Sequence, residues 1–253
     1  MNQAYWDSIA HRYDDEILDA LGSDRNGVIR GCIRKHANKK HVAADFGCGV
    51  GKTLPLLSRS FSIVDAYDLS VNNIKLARRA CTALPNIRYH RRDLSTAASK
   101  RIQVDFAVSI NVLLTPSHEI RNAILRTICR GLRPGGRLLL VTPSLESALY
   151  SDFRLLEWNM RVGFAYDQAR KEGLTKDTKK GGALANGIVT LDGVATKHYL
   201  REELEVTLRG FGLEPIDTRK VEYAWSTEFD EAPSWLQAPY PWDWMVVAQK
   251  RLR

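Results

Sequence analysis

The sequence predicts an α/β protein: a doubly wound, mostly parallel seven-stranded sheet with an antiparallel C-terminal strand pair, helices on both faces, and an inserted helical and hairpin lid. Three observations predict it. Short apolar runs alternate with helix-period segments between residues 41 and 142, the pattern of βαβ units. The first run ends in a cluster of glycines, Gly47, Gly49 and Gly51, where a strand passes into a helix. Two later runs, Leu213–Tyr223 and Trp242–Lys250, are joined by a segment rich in turn signals, which suits antiparallel neighbours.

The elements follow in chain order. Trp6, Ile9, Tyr13, Ile17 and Leu18 stand at helical spacing, so residues 4–20 read as an amphipathic helix and 26–37 as a second. His41–Phe46 reads as a buried strand, 52–60 as a helix and Ser62–Asp68 as the second strand. Ser70 can cap a helix over Val71–Leu84, which Pro85 stops. Asn86–His90 and Gln103–Ile110 read as the third and fourth strands. Residues 118–131 place Ile120, Ile124, Leu125 and Ile128 on one helix face; Leu132–Gly136 reads as a turn and Arg137–Thr142 as the fifth strand. There the alternation breaks. Residues 144–186 are helix-like and aromatic, then polar, with 170–186 as a flexible lid loop. Gly187–Tyr199 reads as a hairpin turning at Leu191-Asp192-Gly193, and Leu200–Phe211 as a helix.

Composition narrows the function classes. An apolar fraction of 44% with 26% charged residues excludes a disordered chain. No run approaches the roughly 18 apolar residues of a membrane helix, and the polar start lacks a signal-peptide core. Cys32, Cys48, Cys81 and Cys129 form no CxxC pair, which predicts reduced thiols, a cytoplasmic protein and no metal. The net charge of +8 is concentrated. Arg25, Arg30, Arg34, Lys35, Lys39 and Lys40 fall in a stretch without an acid, and between residues 75 and 101 eight cations accompany Asp93 alone. Such runs are usually solvated faces; a nucleic-acid edge is the alternative.

Asp45-Phe46-Gly47-Cys48-Gly49-Val50-Gly51 is the one sharp motif. Glycines at the carboxyl end of a strand allow a tight turn and let a ligand approach backbone N–H groups before a helix N-terminus. A dinucleotide fingerprint would need a small residue where Lys52 stands. A phosphate-binding P-loop ending at Gly51-Lys52-Thr53 would need its first glycine where Phe46 stands. The motif instead resembles that of the class I S-adenosylmethionine-dependent methyltransferases, an acidic residue followed by GxGxG, and the likeness runs over about residues 4–142.

The resemblance implies S-adenosylmethionine as cofactor, with S-adenosylhomocysteine as product. It places Asp45, Gly47, Cys48, Gly49 and Gly51 at the methionine end. Asp68, followed by Leu69, would take the ribose hydroxyls, and Asp93-Leu94 the adenine. Ser109-Ile110-Asn111 would wrap backbone around the cofactor, while Tyr5 and Tyr13 would belong to an N-terminal helix folded over it. Methyl transfer by this family asks mainly for alignment and desolvation. The expected divisions are 1–40 as cofactor lid, 41–143 as binding core, 144–199 as substrate-covering insertion and 200–253 as completion of the core. In the insertion, Tyr150, Phe153, Trp158 and Tyr199 are candidate acceptor-binding rings and His198 a candidate base.

The expected function is methyl transfer to an O, N or C atom of a small molecule by a monomer or homodimer with no membrane partner. Family members that methylate base amino groups carry an Asn/Asp-Pro-Pro-aromatic tetrapeptide after the fourth strand. Asn111-Val112-Leu113-Leu114 stands there instead, which argues against a nucleic-acid partner. A methyltransferase of RNA or protein is the alternative, and a non-catalytic protein that keeps the cofactor fold is a third class.

Overall fold

The computed structural model describes residues 3–9, 18–96, 102–172, 183–191 and 193–252. Helix α1 (Gln3–Ile9) and helix α2 (Val28–Lys35) precede strand β1 (Asn38–Phe46). Then follow α3 (Leu54–Ser60), β2 (Phe61–Asp68), α4 (Val71–Ala80), β3 (Ile87–Arg91), β4 (Val104–Ile110), α5 (His118–Gly131) and β5 (Leu132–Pro143). Helix α6 (Leu145–Arg161), a short helix α7 (Tyr166–Ala169) and the β6 (Ile188–Leu191)–β7 (Val194–Lys197) hairpin come next. Helix α8 (Arg201–Gly210), β8 (Leu213–Glu222) and β9 (Trp242–Lys250) end the order.

The seven-stranded sheet runs β3-β2-β1-β4-β5-β9-β8. β9 lies antiparallel between β5 and β8, and the pairs among β1–β5 are parallel. The expected sheet and its antiparallel C-terminal pair are therefore present. The strand order reverses at β1/β4, and in open α/β sheets ligands bind at such a switch point. Two apolar layers cover the faces. One includes Ile29, Ile33, Leu57, Ile74, Val108, Val141 and Tyr223, the other Phe46, Leu125, Ile128, Leu140, Leu208 and Trp244. Both faces of the central strands are buried, which is why β4 and β5 read as continuous apolar runs.

Several boundaries differ from the sequence reading, each for a local reason. The helix expected over 4–20 does not reach residue 20: Leu18 and Asp19 are non-helical and a turn follows, in which the Asp19 carboxylate accepts from the Gly22 N–H at 2.9 Å. Residues 10–17, and with them Tyr13, lie outside the described residues. Helix α2 starts at Val28 rather than 26, because Gly27 is left-handed and Asp24 accepts from the Ile29 N–H at 2.8 Å. Leu132–Gly136 is not a separate turn. β5 begins at Leu132, pairs with Val104, and shifts register before Arg137 pairs with Phe106; Gly135 at φ 77° absorbs the irregularity. Of the loop expected over 170–186, residues 173–182 lie outside the described residues.

Candidate active site

The glycine loop crosses the carboxyl end of β1 and is fastened to β2. The Gly47 and Cys48 N–H groups donate to the Tyr67 carbonyl at 2.8 and 2.9 Å. The Gly49 N–H donates to Asp68 Oδ2 at 2.9 Å. Gly47 is held at φ 79°, and a Cβ there would stand 2.4 Å from Val112 Cγ2, so both conformation and space require glycine. Gly51, at φ 93°, packs against Ala77 of α4.

Asp45 is 2% exposed and accepts from the Thr53 hydroxyl. Burial pushes its carboxyl up to about 7; Asp68 adds to the rise and the Thr53 hydrogen bond opposes it. Asp68 lies at the end of β2. Its Oδ1 accepts from the Ser70 N–H at 2.8 Å and from Asn73 Nδ2 at 3.3 Å. Burial raises this carboxyl too, and the N–H donors pull it back. Ser70 caps α4 as expected, accepting from the Asn73 N–H at 3.1 Å. The Cys48 thiol is pushed well up by burial and by the two aspartates, so it is no nucleophile at neutral pH.

These groups open onto one cavity of about 500 Å³, within the range of cofactor and small-molecule sites. Among the expected cofactor residues, Asp45, Gly47, Cys48, Asp68, Leu69, Asp93, Leu94, Ile110 and Asn111 line it. Asp93 is turned toward its own loop, Oδ1 accepting from the Ser95 N–H and hydroxyl at 2.8 and 2.6 Å. Ser109, Gly49 and Gly51 lie behind the wall: Ser109 is fully buried in β4, and the two glycines shape the loop. Tyr5 does not line the cavity; its helix neighbours Gln3 and Trp6 do, and the Tyr5 ring meets Trp6 edge-on at 5.2 Å.

Sequence reasoning missed Asn73, Arg92, Thr115 and the Leu18–Leu21 segment, all of which line the cavity. The Gly22-Ser23 turn signal could have found the last, because a chain turning there need not continue as helix. The buried atoms Asn73 Oδ1, Arg92 Nε and Asn111 Oδ1 have no hydrogen-bond partner within the protein, on residues that wall this cavity. Orphaned polar atoms beside a glycine loop and two buried carboxylates fit a polar ligand at this place.

The expected acceptor-side residues lie elsewhere. His198 is 6% exposed, its Nδ1 stands 3.2 Å from the Thr196 carbonyl, and burial lowers its pKa. Tyr199 is buried with its hydroxyl donating to the Leu113 carbonyl at 2.9 Å. Tyr150 packs against Trp225 and Trp242 at ring separations of 5.7 and 6.2 Å, and Trp158 against Phe229 at 5.9 Å. Phe153 faces solvent at 58% exposure. None of the five lines the 500 Å³ cavity. Tyr150 and Trp158 pack in a layer between α6 and the segment after β8, where each has an aromatic partner.

Among the described residues no group of His, Cys, Asp or Glu is placed to hold a metal ion, and no helix is long and apolar enough to cross a membrane. Arg30, Arg34, Lys52 and Arg59 border a second concavity of about 580 Å³, where Lys52 pairs with Asp19 at 3.2 Å.

Residues 43–136, which contain the glycine loop, Asp68, Asp93 and Asn111, match the family model described as a methyltransferase domain. Over these residues the chain is similar to methyltransferase domains. Solved structures agree with this methyltransferase fold across nearly the whole chain. A Methanosarcina mazei S-adenosylmethionine-dependent methyltransferase is 20% identical with a TM-score of 0.62, covering 88% of this chain and 98% of its own. The Burkholderia thailandensis 1,6-didemethyltoxoflavin-N1-methyltransferase, solved with that compound and S-adenosylhomocysteine, is 14% identical at a TM-score of 0.63, with 98% and 87% covered. A Haloferax volcanii protein in complex with the Trm112 methyltransferase activator is 15% identical at 0.61, with 97% of each chain covered. No curated relative matches the sequence.

Proposed function

We propose that this methyltransferase alkylates an O, N or C atom of a small-molecule acceptor. The observation that carries the reading is the shape of the site. One 500 Å³ chamber holds the cofactor residues at one side, and Leu18, Leu21, Val112, Leu114 and Ile120 wall the rest with apolar surface. A concave, mostly apolar wall suits a small acceptor more than an extended strand of RNA. The N1-methyltransferase of a toxoflavin precursor, built on the same fold, acts on such a molecule.

In this reading Asp68 orients the ribose, and Asp93 with Leu94 borders the adenine. Asp45 faces the methionine amine, while the Gly47–Gly51 turn lets backbone approach. The cofactor supplies a methyl group already activated on a sulfonium. The protein's task is alignment and exclusion of water, and positioning of this kind can supply roughly 7–11 kcal/mol of a barrier. The N-terminal segment serves as a cofactor cover: Gln3 and Trp6 line the chamber, Gln3 accepts from Arg91 Nη2 at 2.8 Å, and the Asp7 carbonyl accepts from Asn72 Nδ2 at 3.2 Å. His198 is left out of the chemistry, because it does not line the chamber.

The test is transfer of labelled methyl groups from S-adenosylmethionine into a cell extract, separated into acid-soluble and acid-precipitable fractions. The proposal expects label in the soluble small molecules. Label confined to precipitated RNA or protein would replace it with the macromolecular reading.

A further inference from the structure

Beside the chamber, helices α2 and α3 present cations that the cofactor reading does not use. Arg30 and Arg34 stand four residues apart on α2 and so share one face of it, where like charges repel. Arg59 comes from the last turn of α3. All three are exposed, and all three line the second concavity, of about 580 Å³. Neither helix contains an acid that would offset these charges. Among the described residues none of the three arginines forms an ion pair, and Arg30 Nη2 donates to the Leu21 carbonyl at 3.4 Å. Asp19 is the one acid among the lining residues, and it is already engaged. Its Oδ2 lies 3.2 Å from Lys52 Nζ, and its Oδ1 accepts from the Gly22 N–H at 2.9 Å. Three guanidinium groups are left on this concave surface with no carboxylate of the described residues to meet them.

The place of the concavity matters as much as its charge. Asp19, Leu21 and Lys52 line it and the chamber alike, so the two share a wall. That wall is open to solvent rather than sealed, because the Lys52 and Asp19 side chains are 28% and 36% exposed. The chamber on its other side carries apolar surface from Leu18, Val112 and Ile120. A molecule whose body lies in the chamber can therefore extend a substituent over the Lys52–Asp19 rim among the arginines. A guanidinium is a planar fork that matches the oxygens of a carboxylate or a phosphate two at a time.

We propose that the second concavity is the anion subsite for the acceptor: the chain methylates acidic small molecules, whose body sits in the chamber and whose carboxylate or phosphate is held by Arg30, Arg34 and Arg59. This rests on the reading of the chamber as a small-acceptor methyl-transfer site. The held group lies away from the reacting atom, so the product keeps its negative charge. The cofactor's own carboxylate is the competing occupant, and cofactor affinity separates the two.

The experiment passes the soluble products of the labelled-extract reaction, freed of unreacted cofactor, over an anion-exchange resin at neutral pH. Wild type should put its label into retained products. Arg34→Gln/Arg59→Gln protein should put about fivefold less there, while binding S-adenosylhomocysteine within about twofold of wild type by calorimetry. Phosphatase treatment before the column distinguishes the sources: retention is lost for a phosphate and kept for a carboxylate. Soluble label that runs through unretained overturns the proposal, as does retained label formed equally by the variant. A variant with weakened S-adenosylhomocysteine binding assigns the arginines to the cofactor and overturns it too. A second measurement needs no turnover. The Arg34 and Arg59 side-chain N–H signals of the wild-type protein, followed by nuclear magnetic resonance, should shift saturably with inorganic phosphate or succinate, against chloride at matched ionic strength. Shifts no larger than those of chloride refute the subsite. Label confined to RNA or protein would refute the small-acceptor reading and this substrate class with it, and saturable shifts would then leave the anion site standing.

Discussion

Asp45 is an acid buried against a second acid, and the consequence is measurable. Its carboxyl rises in the folded state from 3.8 to about 7. A raised folded pKa stabilises fully below the unfolded value, and that contribution is lost as pH climbs through the folded one. Asp45→Asn should therefore gain stability relative to wild type between pH 4 and 8, by up to about 3 kcal/mol. Urea midpoints at the two ends of that range check it; a pH-independent difference would show that the acid is not buried as described. On the proposed placement of Asp45 at the methionine amine, the same variant should bind cofactor more weakly. Gly47→Ala should cost about 1–3 kcal/mol in thermal unfolding, from a left-handed residue and a Cβ thrust into Val112. Adding Val112→Ala should recover part of that loss. At this scale the sequence was legible where one residue type has one use. Glycines between a strand and a helix, an acid at the next strand end and Ser70 as a cap were all readable. The partner of Asp243 was not, because one aspartate at the start of an alternating strand carries no sign of the tyrosine that meets it from another element.

Helix α1 shows how an element far from the glycine loop joins the site. The Asp7 carboxylate accepts from the Ser70 hydroxyl at 2.5 Å, and from the Asn72 N–H at 3.4 Å, so the N-terminal helix is bound to the start of α4. Asp7→Ala should release it. Hydrogen exchange of residues 3–9 should rise, and cofactor affinity should fall by about 1 kcal/mol, the scale of a charge-assisted surface bond. Unchanged exchange would mean that other contacts hold the helix. The amphipathic pattern of this helix was readable from Trp6 and Ile9, but its reach was not. Leu18 continues the apolar spacing while Asp19 and Gly22 close a turn, and periodicity cannot weigh a turn against a helix. The Leu132–Gly136 stretch failed for the opposite reason. Proline and two glycines signal a turn, yet tertiary pairing with β4 draws them into an irregular start of β5.

Across the whole molecule, the alternation of apolar runs and helical segments gave away the sheet, and the antiparallel ending was visible in two runs without a helix between them. What lay beyond reach was the destination of the aromatic rings. Tyr150, Trp158, Trp225, Phe229 and Trp242 are individually as compatible with a pocket as with a core, and only the fold shows them packed on one another. If they are core, Trp225→Ala should lower stability by about 3–5 kcal/mol and leave affinity for S-adenosylhomocysteine within twofold of wild type. A stable variant with lost turnover would return these rings to the acceptor site.

The central claim is that the chamber beneath the glycine loop binds S-adenosylmethionine. Calorimetry of the wild-type protein with S-adenosylhomocysteine tests it most directly, with NAD and ATP as competitors for the same loop geometry. The account predicts one site of micromolar affinity, about −8 kcal/mol, weakened by about 1.5–3 kcal/mol in Asp68→Ala. Heat with NAD or ATP and none with S-adenosylhomocysteine would contradict it.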